Sequence, residues 1–409
     1  MKKNIYSLFF TIFLDMLGIG ILIPVVPQLL GEPNSPAYLL SASQGDLGFF
    51  LLGLLMTTYP LALFFASPVL GALSDKYGRK PVLVASIFGT SVSYFVFAYA
   101  IFTRNIPLLF ISRIVDGVTG GNMSVAQAAI ADLTAPEDRT KTFGMMGAAF
   151  GLGFILGPFL GGVLSSPSVL PFFNASTPFI FSGFLSLLNA IFIASFFKES
   201  IKEKVHDKKI HLLSSLENIA KAKKFHEVRF LFLVSFLFTI GFSFYTSFFN
   251  VYLNNKFDFS PVNIGNFFAY IGLWVIITQL LIVRNIPKRF TEVKLLGPAY
   301  IMSSIAMLLY MVPDKSWVLF LIVPLSSIPH GIQHANFISL LTKRTDEKVR
   351  GEVLGVNASV NSLGQALPPI FAGGLAVAFS AHTPLLMSSI FIMLAGLVFI
   401  FKVKRQIES

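Results

Sequence analysis

Long apolar runs alternate with short polar segments along the whole chain. An α-helix rises about 1.5 Å per residue, so about 20 apolar residues are needed to cross the hydrocarbon layer of a bilayer. Runs of about that length predict twelve transmembrane helices. Their predicted positions are 5–30, 47–69, 82–103, 107–131, 142–165, 177–197, 229–253, 263–284, 293–312, 316–341, 352–378 and 384–402.

The chain divides into two halves around a polar, lysine-rich segment. We predict an N-terminal six-helix bundle at 1–197, a cytoplasmic linker with an interfacial helix at 198–228, and a C-terminal six-helix bundle at 229–409. The halves repeat at an offset of 211 residues, which pairs Arg139 with Arg350, Gly144 with Gly355, Gly153 with Gly364, Pro158 with Pro369 and Gly162 with Gly373. Parallel repeats of this kind are typical of transporters that bind substrate between the two repeats. The predicted fold class is therefore an all-α polytopic membrane protein with two pseudo-symmetric bundles.

Composition and charge agree with a membrane location. Hydrophobic residues make up 54% of the chain and charged residues 12%, which excludes a soluble domain of this size. The net charge is +11, and 27 of the 31 Lys and Arg residues fall on one predicted side. The positive-inside rule places that side, with both termini, in the cytoplasm. The basic charge is thus explained by topology and not by a nucleic-acid partner.

The acidic residues predicted to lie well inside a span are Asp15 and Asp116. A charge at that depth costs about 2.5–3.5 kcal/mol on the insertion scale. The carboxyl must be protonated or paired, and a proton-coupled carrier can alternate between those two states. The alternative is a structural hydrogen bond to a neighbouring helix.

The fourth run carries a polar, glycine-lined stripe on one helical face. Its members are Arg113, Asp116, Gly117, Gly120, Ser124 and Gln127, whereas Asn122 falls on the other side. Such a stripe predicts contact with an aqueous cavity or with a closely packed helix. Arg113 and Asp116 are three residues apart and can pair, which also allows a self-neutralised couple with no role in transport.

The fifth run is rich in glycine. Gly153, Gly157 and Gly161 recur every four residues and predict a groove for close helix contact. Pro158 removes an internal hydrogen bond and allows a bend. Generic glycine-mediated packing is the alternative to a specific role.

The turn between the second and third runs has the sequence Gly71-Ala-Leu-Ser-Asp75-Lys-Tyr-Gly78-Arg79-Lys80. Gly71 and Gly78 are expected to permit close backbone approach and positive φ. Asp75 and Arg79 are placed to pair across neighbouring helix ends. The alternative is a loop whose basic residues only set topology.

These segments resemble the major facilitator superfamily, and within it the twelve-helix drug:proton antiporters, particularly tetracycline efflux pumps. The resemblance rests on the spacing of Gly71, Asp75, Gly78 and Arg79, on Arg113 with Gly117, on Asp15 with Gly18 and Gly20, and on Gly144, Gly153, Gly157, Pro158, Gly161 and Gly162. It covers the N-terminal half well and the C-terminal half in outline. The resemblance implies a conformational latch at the turn, a role for Arg113 in proton handling, and an antiporter motif in the fifth run. Asp116 stands where the family motif usually has a neutral polar residue.

Polar residues in the C-terminal half are candidates for the substrate cavity. They are His330, Gln333 and His334 in the tenth run and Asn357 and Asn361 in the eleventh, and we group them with Ser124 and Gln127. Two His residues four apart can bind a metal, but the zinc-hydrolase motif needs Glu where Gly331 stands. Interhelical hydrogen bonding is the alternative for all five. The seventh run carries an aromatic stripe of Phe238, Phe242, Tyr245 and Phe249. We expect it to face lipid, and a wall for a lipophilic substrate is the alternative.

The predicted function is a proton-coupled antiporter that exports small lipophilic or amphipathic compounds by alternating access. We expect protons, a small-molecule substrate and the lipid bilayer as partners, a monomer in the cell membrane, and neither cofactor nor resident metal. A carrier for one metabolite, sugar or lipid is the first alternative, and an intramembrane metalloenzyme is a remote one. The sequence leaves the substrate, the coupling stoichiometry and the direction of transport open.

Overall fold

The structure is a computed structural model that describes residues 2–134, 139–201, 211, 213–283, 290–346 and 349–408. These residues form helices joined by short turns, and no strand occurs among them. The α-helices are α1 (Lys2–Leu30), α2 (Gly45–Tyr77), α3 (Arg79–Phe102), α4 (Ile106–Thr119), α5 (Asn122–Leu133), α6 (Arg139–Leu164), α7 (Thr177–Phe196), α8 (Ser214–Lys221), α9 (Arg229–Phe257), α10 (Pro261–Ile277), α11 (Glu292–Leu309), α12 (Ser316–Lys343), α13 (Arg350–Ala366), α14 (Pro368–Ala378), α15 (Thr383–Val398) and α16 (Arg405–Glu408). The predicted all-α class is confirmed.

Nine helical stretches in the described part of the chain are long and apolar enough to cross a membrane. They are α1, α2, α3, α7, α9, α10 with the π-helical turn Thr278–Val283, α11, α12, and α15 with the segment that follows it. The other three predicted spans correspond to α4 with α5, to α6, and to α13 with α14. The total of twelve spans therefore stays a prediction.

Two predicted spans are broken rather than continuous. The predicted helix at 107–131 ends at Thr119 and begins again at Asn122. Gly120 and Gly121 between them adopt a turn whose carbonyls accept from amides three residues later. The predicted helix at 352–378 is interrupted before Pro368, because proline has no amide hydrogen to donate.

The first compact unit contains Met1–Gly45, Thr58–Ser214 and Pro261–Ala269. Its core lies between α1, α3, α5, α6 and α7, where apolar faces of five helices meet. Members of this core include Leu8, Ile12, Ile87, Val125, Ala129, Met146 and Ile193. These faces are buried because α1 packs extensively against α6, and α3 against α7.

The second compact unit contains Asp46–Thr57, Ser215–Ser260 and Tyr270–Ser409. Its core lies between α9, α11, α12, α13 and α15, with Phe232, Tyr300, Leu341, Val356 and Ala395 among its members. Ile219 of α8 packs against this core. Much of the predicted linker, residues 202–210 and 212, lies outside the described residues. The predicted domain boundaries stay a prediction. The two compact units are defined by contacts between segments, which do not show which segments fold or move together.

Candidate functional site

A buried ion pair lies on α4. Arg113 Nη1 is 2.5 Å from Asp116 Oδ2, and both side chains are less than one-tenth exposed. The Arg113 guanidinium also lies 4.6 Å from the ring centre of Tyr59 on α2, within the range of a cation–π contact. The sequence predicted the pair from its spacing but did not predict the tyrosine, because no local pattern links α2 to α4.

Glycines on α4 and just after it allow α2 to approach this pair. A Cβ on Gly117 would lie 2.5 Å from the Tyr59 carbonyl oxygen, and a Cβ on Gly120 would lie 2.6 Å from the Tyr59 hydroxyl. Real Cβ contacts are longer than this, so a larger residue at Gly117 would push the backbone of α2 away, and one at Gly120 would displace the Tyr59 side chain. The glycine-lined stripe predicted on the fourth run is therefore a contact surface for α2 at these two positions.

Asp15 lies in α1 of the same unit. Its Oδ2 atom is buried and has no hydrogen-bond partner within the described ranges, although the residue as a whole is partly exposed. Gly18, one turn later on α1, makes room for Tyr94 of α3, since a Cβ there would lie 2.0 Å from the Tyr94 hydroxyl. Asp15 thus differs from Asp116, whose carboxylate is held by Arg113.

Asn122, the first residue of α5, interacts with the Asp15 side chain. The sequence pattern put Asn122 on the face away from the polar stripe. The structure buries it completely in the first unit, because the turn at Gly120 and Gly121 winds more tightly than an α-helix and changes the direction of the residues that follow.

Two residues assigned to the substrate cavity lie elsewhere on α5. The Ser124 hydroxyl donates to the carbonyls of Ser67 and Gly121, at 3.1 and 2.7 Å. Gln127 is exposed, in contrast to the buried Ala126 next to it. Ser124 therefore links α5 to α2 by a hydrogen bond. A role in the substrate cavity stays a prediction for both Ser124 and Gln127.

The predicted turn between the second and third spans is shorter than expected. α2 ends at Tyr77 and α3 begins at Arg79, so Gly78 alone joins them. Gly78 has φ of 113°, which favours glycine. Gly71 lies inside α2, and the atom nearest to its Cβ position is 3.9 Å away, so the expectation of positive φ and close approach is wrong for this residue.

Arg79 lies at the centre of a polar cluster at this helix junction. Its guanidinium is 2.6 Å from Asp75, 3.1 Å from Asp132 and 2.6 Å from the Ser74 hydroxyl. Glu199, just after α7, accepts hydrogen bonds from the amides of Arg79 and Lys80 at the start of α3. The predicted Asp75–Arg79 pair is present. Asp132 and Glu199 were not predicted as partners of Arg79, because they are distant from it in sequence.

The glycine groove predicted on α6 packs against the backbone of α1. A Cβ on Gly153 would lie 2.7 Å from the Phe13 carbonyl oxygen, and one on Gly157 would lie 2.6 Å from the Leu17 carbonyl oxygen. Gly161 faces the Ile21 carbonyl at the same 2.6 Å. The predicted close contact is confirmed at these three residues. Gly144 belongs to α6, but its surroundings lie outside the described residues.

Two further glycine contacts correspond to the sequence repeat. In the first unit, a Cβ on Gly162 of α6 would lie 2.3 Å from the Pro261 carbonyl oxygen, and one on Gly265 would lie 2.6 Å from that of Pro158. In the second unit, a Cβ on Gly373 of α14 would lie 2.6 Å from the Phe49 carbonyl oxygen, and one on Gly53 would lie 2.4 Å from that of Pro369. Positions that match at the offset of 211 residues therefore make the same kind of contact. We call these two contacts the repeat seams.

His330 of α12 stacks on aromatic rings of α9 in the second unit. Its ring centre lies 4.6 Å from that of Phe242 and 5.7 Å from that of Phe238, with nearly parallel planes. Tyr245 and Phe249 are buried, and both rings lie beside Tyr310. The expectation that this aromatic stripe faces lipid is wrong, because its rings pack against neighbouring helices of the second unit.

The polar candidates of the second unit differ in their contacts. Gln333 Nε2 donates to the Ser303 hydroxyl at 2.9 Å, and Asn361 Oδ1 accepts from Ser235 and Thr239. Gln333 Oε1 and Asn357 Oδ1 are buried and unbonded within the described part of the chain. The His334 side chain lies outside the described residues. Asn361 thus makes interhelical bonds, while Gln333 and Asn357 keep free acceptor atoms.

The described residues contain no group of three or more His, Cys, Asp or Glu side chains that could hold a metal ion.

Comparison with known proteins identifies relatives over the whole chain. The family model described as Major Facilitator Superfamily matches residues 8–369 and 288–408. The tetracycline resistance protein, class C, of Escherichia coli is 29% identical over 91% of this chain and 89% of its own length. The quinolone resistance protein NorA of Staphylococcus aureus (strain MSSA476) is 28% identical over 99% of this chain and 98% of its own length.

Solved structures with the same fold are also transporters. The human organic anion transporter MFSD10 (TETRAN) has a TM-score of 0.74 at 24% identity, and the match covers 97% of this chain and 99% of that one. A variant of the nucleoside transporter NupG has a TM-score of 0.74 at 16% identity, and the match covers 98% of this chain and 100% of that one. At these identities the likeness shows the fold alone.

Proposed function

The chain belongs to the Major Facilitator Superfamily, and we propose that it is a proton-coupled antiporter that exports small lipophilic or amphipathic compounds. It is a multi-pass integral membrane protein, and its similar relatives include tetracycline and quinolone resistance proteins. Those two compound classes are therefore the first substrates to test.

The observation that carries this proposal is the contrast between the two acids in the first unit. Asp116 is paired with Arg113, so its charge is compensated. Asp15 Oδ2 is buried without a hydrogen-bond partner among the residues that the structure describes. An acid at membrane depth is a candidate for a proton relay. Asp15 is therefore the proposed proton carrier, and the Arg113–Asp116 pair is proposed to tune it by its nearby charges.

The transport cycle proposed for the protein has three parts. Proton binding at Asp15 removes its charge, and release of the proton restores a site that favours a cationic or polar group of the substrate. Close backbone contact between α1 and the α6 glycines would let the two helices slide as rigid surfaces. Asp75, Gly78 and Arg79 would hold one conformation by the polar cluster between α2 and α3.

We propose a monomer in the cell membrane with both termini in the cytoplasm. The sequence repeat supports a complete pathway within one chain, and the distribution of Lys and Arg supports the orientation. The proposed role is that of a carrier and not an enzyme. The superfamily and the transporters that share the fold support it.

A carrier for one polar metabolite is the second candidate. The free acceptors of Gln333 and Asn357, both buried in the second unit, favour a substrate that can donate hydrogen bonds. A screen separates the two candidates. Transport of one chemical type indicates a metabolite carrier, whereas transport of several unrelated lipophilic compounds indicates drug export.

The test of the proposed function is ethidium accumulation in efflux-deficient cells. Cells expressing the wild-type protein should accumulate less dye than cells that lack the protein, and a protonophore should abolish the difference. Asp15→Asn should abolish it as well, while Asp46→Asn, at an exposed acid at the start of α2, should not. Full export by Asp15→Asn would contradict the role of this residue, and equal accumulation with and without the protein for ethidium, tetracycline and norfloxacin would contradict drug export.

A further inference from the structure

Asn122 and Asp15 form a pair of polar groups whose hydrogen bonding is incomplete. Asn122 is fully buried, and both atoms of its amide lack a hydrogen-bond partner in the described ranges, as does Asp15 Oδ2. The two side chains interact without reaching hydrogen-bond geometry. Buried polar groups are nearly always bonded, so two unbonded groups side by side require an explanation.

The fold places Asn122 at this position by a specific local device. Gly121 lies against α2, where a Cβ would meet Leu70 Cδ1 at 2.8 Å and Ser67 Cα at 3.1 Å. Gly120 lies against the Tyr59 hydroxyl in the same way. The helix therefore breaks where α2 crowds it, and the first residue after the break is Asn122 at the start of α5.

An asparagine amide suits an acid that changes its protonation state. Its nitrogen can donate a hydrogen bond to a carboxylate, and its oxygen can accept one from a protonated carboxyl. A residue with either a donor or an acceptor alone would favour one state of Asp15. The unbonded state in this structure leaves both atoms available.

We propose that Asn122 is a positioning residue that holds the Asp15 side chain in both protonation states, by donating to the carboxylate and accepting from the carboxyl, and that it thereby sets the pH at which Asp15 takes up a proton. This inference rests on the proposed function, in which Asp15 carries the proton. It adds a residue from α5 to the proposed proton site.

Other titratable groups act on Asp15 from three helices. Asp15 interacts electrostatically with Asp116 of α4, Tyr59 of α2 and Tyr94 of α3, and Arg113 of α4 interacts with these same three groups. α7 contains no titratable residue, and the part of α6 from Gly144 to Leu164 contains none either. A test must therefore leave those four side chains unchanged and alter Asn122 alone.

The experiment compares Asn122→Thr with Asn122→Val in purified full-length protein. These two side chains have nearly the same shape, but Thr keeps a hydroxyl that can donate and accept. Dicyclohexylcarbodiimide modifies protonated carboxyl groups in apolar surroundings, and peptide mass spectrometry locates the label at Asp15. Labelling is measured from pH 5 to pH 9. Asn189→Ala is the matched control, since Asn189 is a buried asparagine in α7 that accepts from Thr11.

The proposal expects labelling of Asp15 to fall with rising pH in the wild type. In Asn122→Val both hydrogen bonds are lost, but the charge-assisted bond to the carboxylate is the stronger of the two. The midpoint should therefore move upward by about one pH unit. Asn122→Thr should move it less, and Asn189→Ala should leave it unchanged. Equal midpoints for Asn122→Val and wild type would overturn the proposal, as would an equal shift for Thr and Val.

The double variant Asp15→Asn/Asn122→Asp, in which the two side chains are exchanged, gives a second, independent test. It keeps one carboxyl and one amide in the pair, so pH-dependent labelling should appear at position 122. Absence of a pH-dependent label there would overturn the proposal. Ethidium export by the same variants separates this inference from the proposed function. If the midpoint of Asp15 labelling depends on residue 122 but the wild type exports no ethidium, only the proposed function is contradicted.

Discussion

At the residue scale, the Arg113–Asp116 pair shows how one contact can have a structural effect and a functional one. Both partners are almost fully buried, and the Tyr59 ring covers the guanidinium. Removal of one partner leaves a buried charge without compensation, whereas removal of both leaves none. This asymmetry separates a folding effect from an effect on proton transport.

We expect Arg113→Gln and Asp116→Asn each to destabilise the protein by about 3–5 kcal/mol, and the double variant to be less destabilised than the sum. Thermal unfolding in detergent measures this difference. Additive effects of the two substitutions would show that the pair is not an energetic unit.

Glu32 is a further buried acid, and the hydrophobic pattern did not predict its burial because it follows the first span. It is 7% exposed, and its Oε1 atom has no hydrogen-bond partner in the part of the chain that the structure describes. Burial raises the pKa of Glu32 from its usual value of 4.5 to about 8. The folded protein therefore binds a proton at pH values where the unfolded chain has released it.

From this pKa we expect the stability of the wild-type protein to decrease as the pH rises from about 5 to 9. The folded state holds more protons between the two pKa values, so the loss is on the order of a few kcal/mol. Glu32→Gln should flatten this dependence and raise the melting temperature at pH 9. Asp46→Asn, at an exposed acid, is the control. Parallel pH curves for Glu32→Gln and wild type would contradict the assignment to Glu32.

At the element scale, α6 shows that glycines in one helix are not equivalent. Gly157 faces the backbone of α1, where a Cβ would lie 2.6 Å from the Leu17 carbonyl oxygen. Gly151, in the same helix, has no described atom within 4 Å of its Cβ position. The same substitution at the two positions therefore separates helix contact from helix propensity.

We expect Gly157→Ala to lower both stability and export, because backbone atoms of α1 cannot move aside as a flexible side chain would. Gly151→Ala should be neutral or stabilise by up to about 1 kcal/mol, since alanine favours a helix over glycine. Melting temperature and ethidium efflux measure both effects. Equal behaviour of the two variants would show that the α1–α6 groove has no special role.

The polar cluster around Arg79 joins α2, α3, the end of α5 and the segment after α7. The guanidinium contacts Asp75, Asp132 and Ser74 from different directions, which a planar group with five donors can do. A lysine ammonium has three donors, but all of them are on one nitrogen, so it cannot reproduce contacts made by the separate Nε and Nη1 atoms of the guanidinium.

We expect Arg79→Lys to reduce export by about tenfold, equivalent to about 1.4 kcal/mol, although the charge is kept. Lys80→Arg, the reverse exchange at the next residue, should have little effect. The transport rate in proteoliposomes with a fixed pH gradient gives the comparison. Wild-type rates in Arg79→Lys would mean that charge alone is needed at this junction.

At the scale of the whole molecule, the proposed orientation in the membrane rests on the distribution of basic residues. The chain has no cysteine, so single cysteines can be introduced without background labelling. Ser168 is exposed between α6 and α7, and Lys223 is exposed after α8. These two positions are predicted to lie on opposite sides of the membrane.

In intact cells, we expect an impermeant maleimide to label Ser168→Cys and not Lys223→Cys, while both are labelled after the cells are opened. This result follows from the positive-inside rule, because Lys223 belongs to the most lysine-rich predicted cytoplasmic segment. The reverse pattern would mean that the chain is inserted with its termini outside.

The repeat seams lie at positions that the internal sequence repeat makes equivalent. The matching of Pro158 with Pro369 and of Gly162 with Gly373 was visible at one offset in the sequence. Their partners, Gly265 and Gly53, lie outside the helices that carry the repeat motif. Sequence comparison of the halves could therefore predict that the two positions are equivalent, but not which helices they contact.

The sequence by itself determined the all-α class, the membrane location and the glycine groove of α6. These properties depend on hydrophobic length and on local periodicity, and each of them lies within one continuous segment. Asp15, Arg113, Asp116 and the Asp75–Arg79 pair were found by the same means, since a charge in an apolar run is visible without a fold.

Only the tertiary structure decided which of these groups meet. Glu199 reaches the amide of Arg79 across 120 residues, and Asp132 reaches its side chain across 53. Asn122 turns toward Asp15 because α2 crowds the glycine pair before it, and a uniform helical periodicity predicts the opposite face. Contacts between distant segments depend on packing in three dimensions, which no local pattern of hydrophobic and polar residues contains.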